Sequence, residues 1–206
     1  MRDNEHKTAG KLPEERQSAI QSILLYLHDL TYLLAVILII FLLCFRVVVV
    51  SGSSMERTLI DGDYLLLLSN TMYRTPQQGD IVVASKDSFD NGEPIIKRVI
   101  ATEGQWVDID FETGTVYVDN QPLENEYYTS SPTTKPWIDA AEFPVLVEEN
   151  CVFVMGDNRS NSHDSRSKDI GMVDCREILG RAIFLFLPGT DHNGSARDFS
   201  RIGGLS

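Results

Sequence analysis

The 206-residue chain begins polar, turns apolar without interruption, and then breaks into short apolar stretches separated by turns. From Leu30 to Phe45 it reads LTYLLAVILIIFLLCF, sixteen residues without a charge, bounded by Asp29 and Arg46. As a helix rising about 1.5 Å per residue this run spans roughly 24 Å, a little short of a ~30 Å hydrocarbon core. The upstream run Ile23–Leu27 and a snorkelling Arg46 make up the difference. A core helix would carry a polar stripe, and this run has none. A cleaved leader would start short and basic and end at a small-residue site. Here a charge-balanced segment precedes the run, and Val47–Val50 follow it. The pattern predicts a polar segment over residues 1–29, a membrane anchor over 30–46 and a folded domain over 47–206.

Beyond the anchor the texture is that of short strands. Val47–Val50, Tyr64–Leu68, Ile81–Ala84, Pro94–Ala101, Trp106–Ile109, Thr115–Val118, Pro144–Val147, Cys151–Met155 and Arg181–Leu187 are rich in β-branched and aromatic residues. Turn clusters such as Asp61-Gly62-Asp63, Asp90-Asn91-Gly92 and Glu112-Thr113-Gly114 separate them. Tyr127–Phe143, with Pro132 and Pro136, reads as a long irregular excursion. No sustained helical period follows the anchor, so the domain is expected to be a mostly antiparallel β fold.

Charge and cysteines narrow the classes. The net charge is -12, and residues 1–50 contribute nothing to it, holding five basic and five acidic groups. A domain that acidic is a poor nucleic-acid binder, because neutralising phosphates needs clustered Lys and Arg. Cys44, Cys151 and Cys175 form no CxxC pair, which removes zinc-ribbon and thioredoxin-like readings. Cys44 in its apolar run is a small hydrophobe. Whether Cys151 and Cys175 pair stays open at this level.

Three clusters carry candidate chemistry. Ser51-Gly52-Ser53-Ser54-Met55 is a small-residue turn after an apolar strand, a place where a carbonyl can approach a hydroxyl and free N–H groups can bind an oxyanion. A Ser-His-Asp triad would need His163 or His192, since His6 and His28 precede the anchor, and neither sits in a supporting motif. A lysine base must be neutral, and lowering its pKa from ~10.4 to ~8 disfavours the charge by roughly 3 kcal/mol, which requires burial. Lys86, Lys135 and Lys168 lie in polar loops, whereas Lys97 is embedded between Ile95-Ile96 and Val99-Ile100. Arg98 cannot serve, because guanidinium does not deprotonate and strand alternation points it to the other face. The third cluster, Gly156 to Arg166, interleaves Asp157 and Asp164 with Arg159, Arg166 and several hydroxyls, as a loop that buttresses a site would. Its spacing fails the EF-hand pattern and its arginines oppose a cation, so neither metal nor cofactor is expected.

Taken together, the three clusters resemble those of the type I signal peptidases, in the short single-anchor form of Gram-positive bacteria. Val50-Ser51-Gly52-Ser53-Ser54-Met55, with Thr58-Leu59 and Gly62-Asp63, is similar to the family's nucleophile box. Gly79-Asp80-Ile81-Val82 and Ile96-Lys97-Arg98-Val99-Ile100 with Gly104 resemble the general-base strand. Gly156-Asp157-Asn158-Arg159, Ser162, Asp164-Ser165-Arg166 and Gly171 resemble the supporting box, and Gly180-Arg181-Ala182 its closing signature. There are departures: Arg57 stands where the family usually has proline, Gly52 lies two before the nucleophile, and Asp169-Ile170 replaces an aromatic before Gly171.

The resemblance implies a barrel-like antiparallel β catalytic domain behind one N-terminal transmembrane helix. It implies a serine endopeptidase that removes signal peptides from exported preproteins after small-x-small sites. Ser54 would attack, Lys97 would take the proton and return it to the leaving amine, and the Ser54 N–H would hold the oxyanion. Ser162 would hold the lysine amine, while Asp164, Arg166 and Asp157 brace the loop. Substrate would add as a strand beside Val48–Val50 and Pro94–Lys97, with Val48, Val50, Met55, Leu59 and Ile96 lining shallow pockets. The implied partners are preproteins and the lipid bilayer. The implied place is the plasma membrane, with the N-terminus cytoplasmic and the catalytic domain outside. Two other readings compete: a self-cleaving repressor relative with the same Ser-Lys chemistry, against which the anchor argues, and an inactive anchored β scaffold.

Overall fold

The structure, a computed structural model, describes residues 14–86, 92–123, 132–133, 139–190 and 196–205. The chain divides into two units, Met1–Leu42 and Leu43–Ser206. In the first, a helix α1 starts at Glu14 and runs for 31 residues to Cys44. It therefore begins well before Leu30, because no Gly or Pro interrupts the sequence between Glu14 and Val50. Its apolar part, Ser18–Cys44, is 27 residues long and none of it is buried. At about 1.5 Å per residue it reaches roughly 40 Å, which is long enough to cross a bilayer. The helix stops two residues before the expected edge at Arg46. From Phe45 the β-branched run Val47–Val49 takes extended backbone, because strand pairing gives its N–H and C=O groups partners.

Among the described residues the second unit holds twelve strands: β1 Phe45–Val49, β2 Tyr64–Ser69, β3 Ile81–Ala84, β4 Ile95–Thr102, β5 Trp106–Asp110, β6 Thr115–Val118, β7 Gln121–Pro122, β8 Val145–Leu146, β9 Cys151–Met155, β10 Val173–Asp174, β11 Ile178–Leu187 and β12 Gly203–Gly204. One sheet runs β1-β2-β11-β3-β4-β9-β10, with β12 added on β11, and a smaller one runs β7-β6-β5-β8. Every pairing is antiparallel. The expected fold class therefore holds, and all nine predicted strands are present within a few residues. The short strands β7, β10 and β12 were not anticipated. Two residues carry no readable period, and only a partner's register makes them strands, as in Val173 opposite Val152. Most of the excursion Tyr127–Phe143 lies outside the described residues.

Strands β3 and β4 are the ones that position the site. β2 buries Leu65 and Leu67 on one face only, whereas β3 is buried throughout and β4 at every residue but its first and last. Residues on both faces of β4 are thus removed from water, which is an unusual setting for Lys97 and Arg98. The core beneath β1, β2 and β4 joins Val50, Met55, Leu59, Leu65, Leu67, Ile81, Val83 and Ile96, with Val48 packed at its margin. A second cluster, including Ile100, Val107, Ile109, Phe153 and Met155, lies between the two sheets.

Candidate active site

The nucleophile turn grows from the end of β1. Val50 N–H donates to Asp63 O (2.8 Å) and Gly62 N–H to Val50 O (2.9 Å), so residues 51–61 form a loop closed at its base. Inside it, Thr58 N–H and Leu59 N–H both return to Met55 O, which tucks Met55 and Leu59 into the core. Gly52 stands at φ +89° and Arg57 at φ +83°. Arg57 is therefore in the left-handed region, where proline, fixed near −65°, cannot sit.

Ser54 Oγ and Lys97 Nζ lie 2.8 Å apart. Lys97 is 5% exposed, and burial pulls its amine down from the usual lysine range to about 8. Asp164 and Asp157 raise the value and Arg166 lowers it, so the desolvated site wins against two carboxylates. Lys97 thus does not point to water from its strand. The amine also donates to Ile96 O at 3.1 Å, which fixes its direction. Among the described residues the Ser54 N–H has no acceptor, leaving it available to an oxyanion. Gly52 N–H is already given to Asp61 Oδ1 (2.9 Å).

The loop after β9 braces this pair from below. Asp157 accepts both Nε (2.8 Å) and Nη2 (2.7 Å) of Arg98, and the Thr58 hydroxyl at 2.6 Å. One buried carboxylate thereby ties β4, the nucleophile turn and the supporting loop together. Asp164 accepts Nε and Nη2 of Arg166, both at 2.8 Å, and Gly156 N–H at 3.0 Å. Burial alone would push the Asp164 carboxyl up, yet these donors and the Arg166 charge hold it below the usual range. Asn158 N–H donates to Ser54 O and its amide to Ser53 O, each at 3.0 Å, while Asn161 reaches Ser53 Oγ at 2.9 Å. A Cβ on Gly156 would fall 2.4 Å from Ser54 O, so only glycine lets the loop approach the nucleophile's backbone.

Several placements bear on the expected roles. Ser162 Oγ is buried but has no hydrogen bond of acceptable geometry; its weak interaction with Asp164 falls short of one, and none joins it to Lys97. Val48, Val50, Met55, Leu59 and Ile96 do gather in one cluster, but Met55 and Leu59 are wholly enclosed. His163 pairs instead with Asp169 at the surface (Nε2–Oδ1 2.9 Å). His192 lies outside the described residues. Cys151 and Cys175 are both free thiols. Sequence reasoning missed Arg98 as the partner of Asp157, and Asn158 and Asn161 as anchors of the turn. A buried arginine beside a buried lysine implies a buried acid, and that was the available signal.

An antiparallel β domain that presents a serine to a buried, partly deprotonated amine has the parts of a covalent hydrolase. Residues 23–187 match the family model for signal peptidase, peptidase S26. The chain is 37% identical over 148 residues to the probable signal peptidase I-1 of Synechocystis sp., which covers 68% of this chain and 70% of that protein. It is 31% identical to signal peptidase I of Bacillus licheniformis, over 70% of this chain and 77% of the relative. A crystal structure of a signal peptidase I from Enterococcus faecalis V583 aligns with 28% identity and a TM-score of 0.42, over 52% of this chain and 96% of that one. The chain belongs to the signal peptidase family, peptidase S26, and is a serine endopeptidase.

Proposed function

We propose that the protein removes signal peptides from exported preproteins after small-x-small sites, with Ser54 as nucleophile and Lys97 as general base, while α1 holds it at a membrane. The observation that carries this reading is the 2.8 Å approach of Ser54 Oγ to an amine held at about 8 by burial. At mildly alkaline pH that amine is neutral and accepts the serine proton as the carbonyl is attacked; protonated, it then donates to the leaving amine. The Ser54 N–H receives the oxyanion. Asp157, Asp164 and Arg166 keep the lysine strand and the serine turn in register.

Substrate binding follows from the sheet. β4 pairs with β9 only from Arg98 onward, so Ile95–Lys97 offer unpaired backbone on that side. Among the described residues β1 pairs only with β2, and its other edge is open. An extended preprotein segment pairs with these edges and brings its scissile carbonyl to Ser54. The helix faces the cytoplasm with its N-terminal end, and the domain works outside. Protease added to intact cells should then digest the domain without lysis.

The deciding experiment is cleavage of a preprotein by the detergent-solubilised chain and its Ser54→Ala and Lys97→Ala variants. Each should lose on the order of 10³ or more in rate, and the double variant no more than either. The unchanged enzyme should gain rate through about pH 8, where Lys97 loses its proton. Substantial cleavage by Lys97→Ala would sink the lysine-base role, and a limb near pH 6–7 would indicate histidine.

A further inference from the structure

Asp63 is wholly buried, and its carboxylate faces an arginine that lies far along the chain. Arg201 Nη1 donates to Asp63 Oδ1 at 2.9 Å and Nη2 to Oδ2 at 2.7 Å, a two-pronged pair. The remaining lone pairs accept Gly189 N–H (2.7 Å) and Ile60 N–H (2.8 Å). Arg201 also reaches back to Thr58 O at 3.2 Å. Ile60 and Thr58 belong to the loop that carries Ser54, and Asp63 stands at its base, where its carbonyl closes the loop on Val50. Arg201 itself lies beyond residue 187, where the match to the family model ends.

The chain is organised to deliver this guanidinium. A short 3-10 turn, Phe199–Arg201, is capped by Asp198, whose side chain accepts Ser200 N–H. After it, β12 pairs Gly203 with Leu185 and Gly204 with Phe184. Leu205 N–H then bonds Ile183 O at 3.0 Å, and Leu205 packs against the core that also holds Met55 and Leu59. Gly189 crosses so near Asp61 that a Cβ would fall 2.1 Å from its carbonyl oxygen. The C-terminal segment thus lies against the base of the nucleophile loop.

We infer that Arg201 is a positioning residue for catalysis: through Asp63 it fixes the base of the loop that sets Ser54 at hydrogen-bonding distance from Lys97. The inference rests on the dyad reading given above. Without Arg201 the buried Asp63 carboxylate keeps two backbone donors and loses its counter-charge, so it must protonate or admit water. Either outcome slackens the loop at Thr58–Asp63 while leaving β4 and the substrate-pairing edges in place.

The test is steady-state cleavage of a peptide with a small-x-small site by the full chain in detergent, comparing Arg201→Ala and Arg201→Lys. Arg201→Ala should lower kcat at least tenfold with KM within twofold and the limb near pH 8 unmoved; Arg201→Lys, charged but without the fork, should recover part of the loss. A kcat within twofold of the unchanged enzyme overturns the inference. So does a loss expressed in KM, or a limb displaced toward pH 10, which would mean a loosened core that wets Lys97. If Arg201→Ala does not fold by circular dichroism, Arg201→Gln is read by the same criteria. Ser54→Ala run in parallel separates the two ideas. If it still cleaves, the dyad reading falls and this inference with it; if it is dead beside a fully active Arg201→Ala, only the inference falls.

Discussion

Lys97 shows how a single side chain is made costly in order to be useful. Its amine titrates near 10.5 in the unfolded chain and at about 8 in the fold, so the native state disfavours the charged form by about 3 kcal/mol. The sign follows from proton counts. Between those two values the unfolded chain binds the extra proton, so stability rises with pH there; below about 8 the whole penalty is present. Lys97→Met should therefore be inactive yet more stable at pH 7, by about 1–3 kcal/mol, with the advantage shrinking toward pH 11. Thermal unfolding followed by circular dichroism at the two pH values checks this, and an equal gain at both would refute the desolvation account. Asp164 is the converse case. Its Arg166 donors hold it ionised although it is buried, so its contribution is present at neutral pH and lost as pH falls below the usual carboxylate range.

At the scale of elements, β4 matters because it is buried on both faces and joined to β9 for only part of its length. Arg98 leaves it on the face opposite Lys97 and meets Asp157, both side chains being 1% exposed. Removing one partner strands a buried charge, so Asp157→Ala should cost about 3–5 kcal/mol and also slacken Thr58. Urea unfolding measures the loss; a change under 1 kcal/mol would mean that water already shares the pair. On the proposed function, the stretch Ile95–Lys97, paired with β3 but not with β9, would set specificity through Ile96. If Ile96 walls the pocket, a Leu or Phe before the scissile bond overpacks it by roughly 1–3 kcal/mol, about a 5- to 150-fold loss. Ile96→Ala should then shift or multiply cut sites in one preprotein, as mass spectrometry of the released mature protein would show. Unchanged cut sites at full activity would remove Ile96 from the wall.

For the whole molecule, the second unit starts at Leu43, so a chain beginning there retains the twelve described strands. It should cleave a soluble peptide at a rate close to that of the full chain, and lose efficiency on preproteins held in vesicles. The reason is confinement to a shared surface, which raises effective concentration without any new contact. Comparing the two chains on soluble and vesicle-held substrates measures it, and equal ratios on both would leave α1 with no role in substrate encounter.

Much of this was legible in the residues alone. Uninterrupted apolarity predicted α1, because a helix without a polar stripe has no soluble partner face. Alternation and turn chemistry predicted nine strands, since both are local properties of a few adjacent residues. Elimination among four lysines singled out Lys97, because only one was embedded in an apolar strand. Other features needed the third dimension. The strands β7, β10 and β12 exist through their partners' register, and the left-handed Arg57 through the closure of its loop. The pairs Arg98–Asp157 and Arg201–Asp63 join residues 59 and 138 positions apart; the apolar strand around Arg98 signals that it needs an acid but not which one, and nothing local distinguishes Arg201 from a solvated arginine. Burial is what gives these charges their partners and lowers the Lys97 pKa. Burial is a property of the packed sheet, so the sequence could nominate Ser54 and Lys97, while only the tertiary structure brings the two within 2.8 Å and lowers the amine's pKa.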